Sequence, residues 1–116
     1  MGINMSFYKM GNKKIKIKDL PVDQRPREKL LKYGAEKLSD SELLAILIRV
    51  GTPQKNVIEV AQEILDKYQS FKGMAGKSVE EIMKIKGIGK DKAVTIAASF
   101  EISRRIVNQI LKEKND

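Results

Sequence analysis

Ile82-Met83-Lys84-Ile85-Lys86-Gly87-Ile88-Gly89-Lys90-Asp91-Lys92-Ala93-Val94-Thr95-Ile96-Ala97 is the stretch that decides the fold. A short apolar-periodic segment ends at Ile85, two glycines bracket one isoleucine, and a longer periodic segment begins at once. Glycine reaches backbone angles that a side chain forbids, so Gly87 and Gly89 let the chain reverse within a few residues. Such a corner aims the first unpaired N–H groups of the next helix outward, with the helix dipole behind them. That is an anion site, and phosphate is the biological anion that suits it best. Lys86, Lys90 and Lys92 surround it with positive charge. Gly-x-Gly also opens dinucleotide-binding turns, but those follow a strand, and the segment before Gly87 reads as helix. The plainer alternative is a helix–helix corner whose glycines only permit close packing.

Working outward, the composition narrows the choices. A chain of 116 residues with 41% apolar content fits one small domain with a modest core. It has no cysteine and no histidine, which removes disulfides, thiolate or imidazole zinc sites, and a Ser-His-Asp triad. Asp40, Glu42, Glu80 and Glu81 sit where helices start and are explained by the helix dipole, so an enzyme is not expected. No apolar run reaches bilayer length, so the expectation is a cytoplasmic protein with no membrane partner. A formal charge of +8 favours a polyanionic partner once it converges on a phosphate-shaped turn.

Residues 1–18 read as a flexible basic arm: between Lys9 and Lys18 there are five lysines and no acid. Lys13-Lys14-Ile15-Lys16-Ile17-Lys18 alternates like a strand, with no evident partner later in the chain. Folded structure is expected from Asp19. Pro26 suits the first turn of a helix whose apolar side is Leu30, Leu31 and Tyr33 and which Gly34 ends. Arg25, Arg27, Lys29 and Lys32 read as its surface cations, with Arg25 and Arg27 the candidates for a phosphate or partner contact.

Ser39-Asp40-Ser41-Glu42 is a capping box, and the helix through Leu43–Val50 is apolar nearly all round, as a central buried helix is. Gly51-Thr52-Pro53 ends it, and Val57, Val60, Ala61, Ile64, Leu65 and Tyr68 then recur at helical spacing. A polar linker follows from Gln69 to Lys77, anchored by Phe71 and Met74, before a second capping box at Ser78–Glu81. Ala93, Ile96, Ala97, Phe100, Val107 and Leu111 line one face of a long last helix, and residues 113–116 read as a frayed tail.

The two halves repeat. Gly51 precedes Ala61 by the same offset as Gly87 precedes Ala97, with a capping serine and an apolar helix before each. Two such units bury each other's apolar faces. They are expected about a pseudo-twofold axis and facing one side, as a duplex with two phosphate strands requires. Pro53 lacks an N–H, which makes the first corner the poorer anion site, although Thr52, Gln54, Lys55 and Asn56 supply donors.

The pattern apolar–Lys–Gly–Ile–Gly–x–x–x–Ala resembles the helix-hairpin-helix motif of non-sequence-specific DNA-binding proteins. Together with Asp19-Leu20-Pro21, Gln24–Leu31, Leu38–Ala45 and Gly51-Thr52, it resembles the N-terminal domain of the RadC family, over roughly Asp19 to Ile106. The resemblance implies an all-α, tandem helix-hairpin-helix domain of about five to six short helices over residues 19–112. It also implies a C-terminal JAB/MPN domain of metallopeptidase type in the full-length protein. This chain, which has no histidine and stops where that domain would start, would be the module without it.

The expected function is DNA-repair-associated, sequence-independent binding of duplex or branched DNA through backbone phosphates. The residues expected to carry it are Lys86, Gly87, Ile88, Gly89, Lys90, Asp91 and Lys92, with Gly51, Thr52, Lys55 and Asn56 from the first corner. No cofactor is expected, except that the resemblance suggests a monovalent cation on the carbonyls of the Gly87–Gly89 hairpin. The alternative is a protein-interaction or spacer domain that positions the C-terminal domain.

Overall fold

Four of the six helices among the described residues begin where a side chain takes over backbone donors that a helix leaves open. Helix α2 (Asp40–Ile48) starts behind Ser39, whose hydroxyl accepts from the Glu42 N–H at 3.2 Å. The Glu42 carboxylate in turn accepts from the Ser39 N–H at 2.9 Å, completing the reciprocal pair that the sequence predicts. Helix α3 (Val57–Tyr68) starts the same way behind Asn56, paired with Glu59. At α5 (Val79–Met83) the box is only half made. Ser78 caps the Glu81 N–H at 3.1 Å, but the Glu81 carboxylate accepts from the Tyr68 hydroxyl at 3.2 Å and pairs with Lys84 at 3.6 Å. A short turn, α4 (Phe71–Met74), capped by Ser70, occupies what reads as linker. Helix α1 (Pro26–Tyr33) starts on proline and stops at Gly34, which adopts φ 91°. The last and longest, α6 (Lys90–Asn115), begins behind Gly89, a residue with no side chain to cap it.

The structure is a computed structural model that describes residues 9–10 and 13–115. The fold is all-α, with six α-helices among the described residues. Most of the expected basic arm, residues 1–8 and 11–12, lies outside the described residues, as does Asp116 of the tail. Lys13–Lys14 does pair, through a two-residue antiparallel ladder with Lys9–Met10, upstream rather than later in the chain. Contacts with the core reach back to Ile15 and Ile17, ahead of Asp19. The Ile15 carbonyl accepts from the Asn56 side-chain amide at 2.7 Å. At the other end α6 continues through Asn115.

The core lies between α2, α3 and α6, closed below by α4 and α5. Leu44 and Ile48 of α2, Ile58 and Ile64 of α3, Ile82 of α5 and Ile96 of α6 are all fully buried. The three- and four-residue spacing of α3 delivers Val57, Val60, Ala61, Ile64 and Leu65 to this core. Removing any one large aliphatic side chain here would cost about 2–5 kcal/mol, counting the cavity left behind. Met74 is buried, and Phe71 packs against Phe100 with ring centroids 6.3 Å apart, so both linker anchors fold back as expected.

Helix α1 departs from the sequence pattern. Leu31 is 82% exposed and Tyr33 is exposed, while Pro26 and Lys29 face inward. Lys29, read from sequence as a surface cation, is only 6% exposed. Its ammonium lies 3.1 and 3.2 Å from the two carboxylate oxygens of Glu42. A lysine stem covers apolar surface as well as a leucine does, provided its charge finds a partner, and Glu42 is that partner.

Among the described residues only the first half of α6 is covered. Beyond Phe100, Ile102, Ile106, Val107, Ile110 and Leu111 continue the helix's apolar side into solvent. An open apolar groove of about 530 Å³ runs beside it, lined by Leu44, Leu47, Phe71, Ala75, Phe100 and Val107. Among the described residues no helix is long and apolar enough to cross a membrane.

Candidate nucleic-acid interface

The second corner is built by Gly87 and Ile88 acting together. Gly87 adopts φ 91°, a conformation that an L side chain rarely takes. This turns Ile88 inward, where it is buried in the core. The Ile88 N–H donates to the Ile85 carbonyl at 3.0 Å, so this one amide of the corner is already used. Gly89 differs from Gly87. Its φ is not positive, and a Cβ placed on it would meet nothing within 4 Å. The fold therefore tolerates a side chain at Gly89, and what glycine leaves there is unobstructed approach to the backbone.

That backbone is a helix start without a lid. The Gly89 carbonyl accepts from the Ala93 N–H at 3.0 Å, which makes Gly89 the residue from which α6 springs. The N–H groups of Gly89, Lys90, Asp91 and Lys92 meet no acceptor among the described residues. Helices α2 to α5 each have a Ser or Asn oxygen over the corresponding donors, and α1 begins on a proline. Lys86, Gly89, Lys90 and Asp91 are exposed around the α6 start. The Asp91 carboxylate stands in the first turn, where it favours the helix dipole and repels an incoming anion.

Lys92 is placed differently from Lys86 and Lys90. Its ammonium donates to the Val50 carbonyl at 2.7 Å and to the Gly87 carbonyl at 3.1 Å, spanning the two corners. The corners also touch directly, since a Cβ on Gly87 would lie 2.6 Å from Cγ2 of Thr52. Spacing along the chain carries no sign of this junction, because Val50 contributes only a carbonyl, which every residue type has.

The first corner is closed on itself. Gly51 is needed for close approach rather than for φ, as a Cβ there would lie 2.3 Å from the Lys55 carbonyl oxygen. The Thr52 N–H donates to that carbonyl at 2.8 Å, and the Thr52 hydroxyl accepts from the N–H groups of Gln54 at 3.3 Å and Lys55 at 3.1 Å. The Lys55 ammonium pairs with Glu63. Asn56, only 4% exposed, exchanges hydrogen bonds with Glu59 and holds the Ile15 carbonyl. So Gly51, Thr52, Lys55 and Asn56 stand together beside the second corner, and the Thr52 N–H, the Lys55 ammonium and the Asn56 amide are engaged within the protein. Arg25 is likewise engaged, donating to the carbonyls of Leu20 at 3.2 Å and Lys18 at 2.8 Å, whereas Arg27 is exposed.

The carbonyls of the second corner test whether a monovalent cation fits there. Those of Ile85 and Gly89 accept backbone N–H groups, and that of Gly87 accepts the Lys92 ammonium. A metal ion on the Gly87 oxygen would sit beside a fixed positive charge and be repelled by it. The residues present do not fit a metal ion at that oxygen.

These features define an all-α domain in which two helix corners abut, with an open, lysine-flanked helix start on the second. A family model described as UPF0758 N-terminal matches residues 17–94. The chain belongs to the UPF0758 family, which is the RadC-like family. It is 50% identical over 90 residues to a UPF0758 protein of Geobacillus thermodenitrificans, covering 78% of this chain and 40% of that one. It is 49% identical over 96 residues to a UPF0758 protein of Clostridium acetobutylicum, covering 83% of this chain and 42% of the relative. The chain thus spans about two fifths of the length of these curated relatives. No solved structure matches it.

Proposed function

We propose that this domain is a non-enzymatic, cytoplasmic DNA-binding module of the helix-hairpin-helix kind that holds backbone phosphate at the start of α6. The observation that carries the reading is the uncapped run of N–H groups from Gly89 to Lys92, behind a glycine that the fold does not need, with Lys86 and Lys90 exposed beside it. Backbone donors at a helix start accept any phosphate and read no base, so binding is independent of sequence. The net charge of +8 supports a polyanion as the ligand. The first corner serves as a brace, and the second carries most of the contact. With so few phosphate contacts the affinity for duplex is micromolar or weaker at physiological salt.

Titration of a labelled duplex at several salt concentrations tests this. Log affinity falls with log salt by a slope of about −0.9 per phosphate neutralised. Lys86→Glu with Lys90→Glu should abolish binding while leaving the fold intact, because both side chains are exposed and neither makes a hydrogen bond or ion pair among the described residues. Lys92 is unsuitable for this test, being part of the corner junction. A response that does not change with salt, or undiminished binding by the double variant, would refute the reading.

The exposed distal half of α6 favours a second role for the same domain. Ile102, Ile106, Val107, Ile110 and Leu111 are exposed beside an apolar groove. The relatives are about two and a half times longer than the part this chain matches. In this second reading that face seats the C-terminal metallopeptidase-like domain implied by the RadC resemblance, and the module positions it. Ile106→Lys with Ile110→Lys should then separate the two domains in a full-length relative, measured by small-angle scattering, and leave DNA affinity undiminished.

A further inference from the structure

The junction between the two corners is built around one charge. The Lys92 ammonium lies between the Val50 carbonyl at 2.7 Å and the Gly87 carbonyl at 3.1 Å. Arg49, which is not glycine, adopts φ 73° and ψ −48°. The Val50 N–H donates back to the Ile48 carbonyl at 2.9 Å, which closes a positive-φ γ-turn, a rare and strained conformation. Such strain persists only where the surroundings over-determine it. Here the carbonyl that follows the strained turn is the one the ammonium takes. On the other side the Gly87 carbonyl follows a second positive φ, and the absence of a Cβ on Gly87 is what lets Thr52 close up.

An ammonium has three donors and no acceptor. Two N–H groups of Lys92 are used on carbonyls, and the third meets no acceptor among the described residues. We propose that Lys92 is the resident cation of the paired corners. It locks them into one rigid unit, its charge on the Gly87 carbonyl keeps a monovalent metal ion from that oxygen, and it presents its third N–H to the bound phosphate. Only the last of these three parts rests on the DNA-binding reading.

The test uses the unaltered chain, labelled with ¹³C and ¹⁵N, at low temperature. Hydrogen-bond scalar couplings from the Lys92 Nζ to the carbonyl carbons of Val50 and Gly87 are measured without DNA, in sodium, potassium and choline chloride. Duplex affinity is then measured in the same three salts at one ionic strength. Both couplings should appear in every salt, and the affinities should agree within about twofold, since screening rather than ion identity governs them. Absence of both couplings overturns the lock, whatever the DNA does. Couplings seen together with affinity at least tenfold weaker in choline would show that a metal ion takes part and overturn the second claim. Couplings seen with no DNA bound in any salt would confirm the lock and defeat the phosphate contact, along with the function built on it. Lys92→Met should erase both couplings and move the ¹⁵N shifts of Gly51 and Ile88, whose peptide groups contain the two carbonyls.

Discussion

Gly87→Ala probes the corner junction most directly. Two separate costs act at this position. The backbone stands at φ 91°, and forcing a β-carbon into left-handed space costs about 1–2 kcal/mol. The new Cβ would also lie 2.6 Å from Cγ2 of Thr52, well inside contact distance. Thr52 cannot simply rotate away, because its hydroxyl accepts from the N–H groups of Gln54 and Lys55 and a β-branched side chain has few alternatives. Overpacking of this kind adds about 1–3 kcal/mol, for a total of roughly 2–5 kcal/mol. Thr52→Ser removes Cγ2 and keeps the hydroxyl. In that background Gly87→Ala should therefore cost only the backbone share of about 1–2 kcal/mol. Urea denaturation of the four proteins gives the double-mutant cycle, with a coupling energy of about 1–3 kcal/mol between the two sites. A cost for Gly87→Ala below about 0.5 kcal/mol would mean that the corner is not held as described. A full-sized cost that Thr52→Ser fails to relieve would mean that the two corners do not touch.

Two further expectations concern the buried and exposed ion pairs. Lys29→Met leaves the Glu42 carboxylate, 1% exposed, with the Ser39 N–H as its one remaining partner among the described residues, and should destabilise the domain by about 3–5 kcal/mol in urea denaturation. Adding Glu42→Gln should recover part of that loss, and a Lys29→Met protein within 1 kcal/mol of the parent, taking about 1 kcal/mol as the floor for such a pair, would contradict the buried pairing. On the surface of α6, hydrogen bonds from Arg104 and then Arg105 hold the Glu101 carboxyl down from the ordinary 4.5 to about 2. A carboxyl lowered in the folded state stabilises α6 fully above its unfolded value, and that support is lost as pH falls from 4.5 towards 2. The Glu101 side-chain carboxyl carbon, followed by NMR against pH, should titrate near the lower figure, and a midpoint above about 4 would remove the pairing in solution.

Local sequence determined most of the helix inventory. Ser39 and Glu42, Pro26, Gly34 and the spacing from Val57 to Leu65 act within a turn or two of chain, and the helices they predict are present. The all-α class and the corner at Gly87–Gly89 follow from the same short-range chemistry. Side-chain pairing between helices was not legible. Lys29 looks like any other lysine of a basic helix until α2 brings Glu42 against it, and Leu31 looks like core until that pairing rotates α1 the other way. Asn56 and Glu59 form a capping box that spacing permits but does not single out from Ser78–Glu81, where Tyr68 draws the carboxylate off.

The candidate site divides along the same line. Sequence singled out Lys86–Lys92, because glycines and lysines at a helix start have a local meaning. Tertiary structure decided which of those lysines are available to a ligand. Lys92 meets a carbonyl 42 positions away, and no pattern in the chain encodes a contact made to a backbone oxygen. The open donors of α6, the engaged donors of the first corner and the charge between them exist only once α2, α3, α5 and α6 are packed together. A capping signal is a bond between near neighbours in the chain, whereas a junction is a bond between strangers to each other in sequence.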